Sequence, residues 1–205
     1  MIMPDDKSII GIGIDQGVAN CGYSVVKLRE DDEVEVLCSG TIITSSDYPL
    51  PQRMLILYNE INQLVSEHKA DIIGCEKLFF NPNQKSSTKK GGRNKSASIV
   101  YTNMATGLLS LIAGQHKLPL KEFVPGTVKK FLTGNGRAEK EAVEEAVLKA
   151  VFKNNGDTNA KTLKTTHESD AIAIGITAVK YFRDHKEEIL TLFKHKKPRK
   201  KKGVK

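Results

Sequence analysis

Residues Ile9-Ile10-Gly11-Ile12-Gly13-Ile14 lead into Asp15 and Gln16-Gly17, and Cys21-Gly22-Tyr23-Ser24-Val25-Val26 follow closely. Short runs this rich in β-branched residues are strands, and the Asp15–Gly17 segment between them is a turn. The chain is thus committed to a sheet from its first apolar run, and one strand of that sheet carries a lone carboxylate. Burying an unpaired carboxylate costs roughly several kcal/mol unless a cation or a metal ion stands beside it. Asp15 is therefore a candidate metal ligand. The plainer alternative is an Asp that ends a strand and opens a tight turn, and other carboxylates must decide between the two.

The rest of the chain supplies them. After the acidic tip at residues 30–33, alternation through residues 34–43 predicts a third strand and hence an antiparallel meander. Residues 51–68 change period, with Met54, Leu57, Tyr58, Ile61 and Val65 on one helical face. Residues 70–76 form a short apolar run after that helix, the pattern of a buried parallel strand, and it ends on Glu76. A second helix is expected over 97–114 with Val100, Met104, Leu108 and Leu111 as its stripe, then a short strand at 120–124. Pro125 starts a helix through Leu132, and a stronger helix over 138–152 buries Val143, Val147 and Val151. A polar loop then delivers His167-Glu168-Ser169-Asp170 to the start of a small-residue helix. His167 and Asp170, three apart, share a face, whereas Glu168 points elsewhere.

Charge is unevenly placed along the 205 residues, whose net charge is +8. Residues 196–205 hold seven Lys or Arg and no acid, leaving 25 basic and 24 acidic residues in the body. This tail reads as a disordered extension of a domain spanning 1–195, attracted to polyanions. A second acid-free basic run, glycine- and serine-rich, lies within an internal loop at 82–96. No apolar run of about 18 residues and no secretory leader are present, so the chain is expected to be soluble, cytoplasmic and independent of membranes. Cys21, Cys38 and Cys75 sit in strand-like surroundings without zinc-site spacing and read as reduced core residues. Trp is absent and aromatics are few, so nucleic-acid contacts should fall mostly on phosphate.

If the first and fourth strands are neighbours, Asp15 and Glu76 converge at one sheet edge, and with His167 and Asp170 they could hold two divalent cations that position a water and stabilise a leaving 3′-oxygen. Oxygen-rich ligation suits Mg²⁺, and one imidazole makes Mn²⁺ acceptable. Gly13-Ile14-Asp15-Gln16-Gly17 with Gly22-Tyr23, Gly40-Thr41-Ile42, Glu76-Lys77-Leu78-Phe79, Val128-Lys129, residues 134–140 and His167-Glu168-Ser169-Asp170 resemble, in order, the motifs of the RuvC family of Holliday junction resolvases. The likeness runs from Ile9 to about Ala178. Gln16 departs from it, because the family usually has proline there.

The resemblance implies an α/β ribonuclease H-like fold with a mixed five-stranded sheet, and a homodimer that nicks opposed strands of a four-way DNA junction using two Mg²⁺ ions, with Mn²⁺ as substitute. It implies Asp15, Glu76, His167 and Asp170 as metal ligands, His167 alternatively moving a proton; Glu168 is the reserve ligand if the helix register differs from the one read here. Lys129 and Lys140 would stabilise charge near the scissile phosphate. Phe79, with Phe80 beside it, would stack at the junction centre, while Lys85, Lys89, Lys90, Arg93, Lys95 and Arg137 would meet DNA. Branch-migration motor proteins as partners stay open. Three alternatives remain: a looser nuclease cutting forks and flaps, a non-catalytic branched-DNA binder, and an ATPase of the actin and sugar-kinase type, which shares the Asp15 hairpin but needs a second phosphate-binding hairpin not found here.

Overall fold

The computed structural model describes residues 8–77, 95–152, 163 and 165–194. Strands β1 (Ile9–Asp15), β2 (Asn20–Leu28) and β3 (Val34–Ile43) form the meander, followed by α1 (Leu50–His68), β4 (Ile72–Glu76), α2 (Lys95–His116), β5 (Leu120–Phe123), α3 (Pro125–Thr133), α4 (Lys140–Phe152) and α5 (Thr166–Lys194). The sheet order is β3-β2-β1-β4-β5. β1 and β2 pair antiparallel from Ile9 opposite Leu28 to Asp15 opposite Gly22, whereas β1 and β4 pair parallel from Gly11 opposite Ile72 to Ile14 opposite Cys75. This is the mixed ribonuclease H-like arrangement that the resemblance implies.

The alternation of β1 explains the layering. Its period of two sends Ile12 and Ile14 into a core with Leu57, Ile61 and Val65 of α1 and Leu109 and Ile112 of α2. Gly11 and Gly13 face the other way, onto α5. A Cβ at Gly13 would overlap the Ala171 carbonyl and the Gly175 backbone nitrogen, and one at Gly22 would overlap the His167 carbonyl. Gly13 and Gly22 thus leave room where α5 crosses β1 and β2, and its backbone lies directly on them. The Ser24 hydroxyl donates to the Ala171 carbonyl at 2.8 Å, fixing the same contact. Farther along, α5 packs Ile172, Val179 and Phe182 with Val128 of α3 and Val147 and Val151 of α4.

Two expectations need correction. The buried stripe of α2 is Ala105, Leu109, Ile112 and Ala113, while Val100, Tyr101, Met104 and Leu111 are exposed, Val100 and Leu111 by 56% each. The apolar residues of α2 occupy two faces, and the small alanines mark the one that packs closely. Cys38 is only half-buried, unlike Cys21 and Cys75. Burial pushes the Cys21 and Cys75 thiols up to about 12, which keeps them protonated and unreactive.

Candidate active site

Three elements deliver the acidic residues to one end of the sheet. Because β1 and β4 run parallel with Ile14 opposite Cys75, the next residues on each strand, Asp15 and Glu76, leave the sheet side by side. The first turn of α5, seated on Gly22, brings His167 and Asp170 over the same edge. His167 Nδ1 lies 2.6 Å from Asp15 Oδ2, joining residues 152 positions apart. Partial burial raises the Glu76 carboxyl above its ordinary value, and the charges of Asp15 and Asp170 raise it further. Loss of surrounding water and the charge of Asp15 raise Asp170 in turn, while Lys140 and His167 pull it back down. These mutual effects place the three carboxylates in one field, with Lys140 at the start of α4 beside them. Among the described residues, no group of three or more His, Cys, Asp or Glu side chains is arranged to hold a metal ion as it stands. The donor set, three carboxylates that repel one another beside one imidazole, nevertheless has the chemistry that a hard divalent cation neutralises.

The raised Glu76 carboxyl has a testable consequence. Folding favours its protonated form between the ordinary pKa of 4.5 and the higher folded value, so metal-free stability falls as pH rises through that interval and stays reduced above it. Glu76→Gln in EDTA at neutral pH should therefore raise Tm, by an amount that solvent screening of this half-buried group keeps small. Melts repeated near about pH 4 should show a smaller gain. A lower Tm for the variant at neutral pH would mean that its carboxylate is held by favourable contacts instead.

The remaining predicted residues divide into three groups. Lys129 is turned inward, its ammonium donating to the Ala138 carbonyl at 2.6 Å, so it ties the segment after α3 to the helix itself. Arg137 is exposed on that segment, where its backbone N–H donates to Asn135 Oδ1 at 3.0 Å. Phe79, Phe80, Lys85, Lys89, Lys90 and Arg93, the side chain of Lys95 and the basic tail lie outside what the structure describes.

Two buried polar residues have roles that sequence reasoning does not assign, and Glu168 is not the reserve ligand expected of it. Glu168 is buried, accepts a hydrogen bond from Ser39 Oγ at 2.7 Å and so fastens the first turn of α5 to β3, pointing away from Asp15. Gln16, only 5% exposed, bonds the backbone of Glu76. The signal for Gln16 is its departure from proline, but its partner is 60 residues away.

A family model described as crossover junction endodeoxyribonuclease RuvC matches residues 11–178. A curated protein of that name from Gloeobacter violaceus is 34% identical over 167 residues, covering 81% of this chain and 85% of its own length. Its counterpart from a Wolbachia endosymbiont of Brugia malayi is 30% identical over 168 residues, covering 82% and 92%. Among solved structures, Thermus thermophilus RuvC in complex with Holliday junction substrate superposes with a TM-score of 0.71 at 23% identity, covering 86% of this chain and 96% of that one. A yeast mitochondrial Holliday junction resolvase gives 0.55 at 14% identity, covering 89% and 85%. At these identities the structural matches speak to the fold.

Proposed function

The chain belongs to the RuvC family of crossover junction endodeoxyribonucleases, and from that membership we propose that it is a metal-dependent cytoplasmic endonuclease resolving four-way DNA junctions by paired symmetric nicks. The observation that carries this reading is the convergence of Asp15, Glu76 and Asp170 in one field, with His167 bonded to Asp15. Asp15, Glu76 and Asp170 would hold divalent metal, with His167 as a further donor. Mg²⁺ suits the oxygen-rich set, and the imidazole lets Mn²⁺ substitute. When bound, such metal supplies Lewis acidity and lowers the pKa of water. The bond from Nδ1 to Asp15 sets the orientation of the His167 ring and directs Nε2 outward, where it can ligate or move a proton. Lys140, whose charge reaches Asp170, places a fixed cation where negative charge grows on phosphate. Lys129 acts one step back, through its hold on the segment that leads into α4.

Two opposed nicks require two such sites, and the exposed Val100, Tyr101, Met104 and Leu111 face of α2 supports a second copy of this chain as its cover. The described helices include none long and apolar enough to cross a membrane.

The test is cleavage of a labelled mobile four-way junction, a fork and a duplex of matched sequence with Mg²⁺, Mn²⁺ or EDTA. Paired symmetric nicks confined to the junction and lost in EDTA are the expected result. Equal cutting of forks would instead identify a looser branched-DNA nuclease, and tight binding without cutting would leave a DNA-binding protein.

Removing residues 196–205 should weaken binding to junction and duplex alike. The slope of log K against log salt should flatten by about 0.9 for each phosphate that the tail no longer neutralises, measured by fluorescence anisotropy across a salt series. A change in the preference for junction over duplex would make the tail a recognition element.

A further inference from the structure

The regular β1–β4 ladder stops at Ile14 and Cys75, one residue short of the two acids. What continues it is a side chain. Gln16 Oε1 accepts a hydrogen bond from the Glu76 backbone N–H at 3.0 Å, and Gln16 Nε2 donates to the Glu76 carbonyl at 2.6 Å. In a strand the N–H and C=O of one residue point to the same side, so this primary amide occupies the place that a partner strand would take. On the opposite side of β4, the Lys77 N–H donates to the Phe123 carbonyl of β5 at 2.8 Å. The end of β4 is therefore gripped from both sides, by Gln16 on one and by β5 on the other.

The orientation of the amide is set by its surroundings. The Thr106 hydroxyl donates to the Thr102 carbonyl of α2 at 3.1 Å, so its oxygen offers a lone pair to Gln16 Nε2 at 3.4 Å. Reversing the amide would put oxygen against oxygen at Glu76 and at Thr106 and nitrogen against the Glu76 N–H. With Gln16 itself buried, leaving these groups unpaired would be costly.

We infer that Gln16 is a positioning residue. It fixes the backbone of Glu76 beside Asp15 and thereby holds apart-pushing carboxylates at the separation in which they can share a cation. Glu76 is where such a hold matters, because it stands one residue past the last β1–β4 pair, beside Asp15. A proline at position 16 would shape the same turn but has no side-chain donor or acceptor, so the grip on Glu76 is a property of this chain's Gln16. The effect on cleavage rests on the nuclease reading. The grip itself and its effect on cation binding do not.

Gln16→Met keeps length and volume while removing both bonds to Glu76 and the one to Thr106, and Gln16→Asn keeps the amide but shortens its reach. Amide hydrogen exchange is read first, without DNA or metal. The Glu76 N–H should exchange about a hundredfold faster in Gln16→Met while the Ile12 and Ile73 amides stay protected. Calorimetric titration with Mn²⁺ alone should then show about tenfold weaker binding in Gln16→Met and an intermediate loss in Gln16→Asn. On a junction, single-turnover cleavage should slow tenfold or more with junction affinity in EDTA unchanged within about twofold. Unchanged Glu76 exchange, or Mn²⁺ affinity equal to that of the unsubstituted protein, would overturn the inference whatever happens to cleavage. Faster exchange spread evenly over the sheet would overturn it too, because Gln16 would then serve general stability. If Gln16→Met does not fold, the exchange and Mn²⁺ results for Gln16→Asn decide alone.

Discussion

Asp15→Asn is expected to slow junction cleavage at least about a thousandfold, on the order of 4 kcal/mol of transition-state stabilisation, while junction binding in EDTA stays equal or becomes tighter. Asp15 stands at the centre of the site: it bonds His167 and its charge acts on both Glu76 and Asp170. Asparagine retains the shape and can still meet the His167 ring, so the fold should hold. It lacks the anionic oxygens needed to share a cation, and it relieves the repulsion on the other two carboxylates. On the proposed function Asp15 would face DNA phosphates, so removing its negative charge should favour binding for the same electrostatic reason. Single-turnover cleavage and EDTA anisotropy titrations, run on the same preparations, separate the two effects. Failure of a folded Asp15→Asn protein to bind the junction would contradict the role assigned to this residue.

The second large effect is expected from a residue with no chemistry of its own. A Cβ at Gly22 would overlap the His167 carbonyl and come within 3.2 Å of the His167 Cβ. Gly22→Ala must therefore lift the first turn of α5 away from β2, carrying His167 and Asp170 with it. Overpacking of this kind costs about 1–3 kcal/mol, so Tm should fall by roughly 3–10 °C. The loss in cleavage should be larger than that suggests, about a hundredfold or more, since a displacement of about 1 Å is enough to spoil a reacting geometry. Junction affinity should change less than about threefold, because the DNA surface stays in place. Gly114→Ala is the control. A Cβ there meets nothing within 4 Å, and in a helix the change should be neutral or stabilising by about 0.4–1 kcal/mol. Equal activity of Gly22→Ala and the unsubstituted protein would show that α5 does not need its close seat on β2.

Much of this architecture is readable in the residues themselves. The Ile-Gly alternation of β1 and the change of period at α1 specify their elements locally, and the condition on which Asp15 and Glu76 converge, that β1 and β4 be neighbours, is met in the sheet. What is not readable depends on the meeting of distant segments. The predicted stripe on α2 differs from the buried one because Val100, Met104 and Leu111 carry a stronger apolar signal than Ala105 and Ala113, although the alanines permit the closer approach to the sheet. Lys129 looks like any solvated helix lysine until the segment after α3 folds back and presents the Ala138 carbonyl. Gln16 and Glu168 are ordinary polar letters in a sequence, and their burial is visible only when β4 and β3 stand beside them. Periodicity reports which faces are apolar, whereas polar grips of this sort are made by tertiary pairing.

The bond between Asp15 and His167 also has a meaning for how the protein is made. It closes a loop of 152 positions, so the first acid leaves the ribosome long before the helix that completes its surroundings. Pairings of such sequence separation form late, after local helices and hairpins have been sampled. A growing chain stalled before α5 would hold Asp15 and Glu76 but neither His167 nor Asp170, so the four side chains can meet only once α5 has been made.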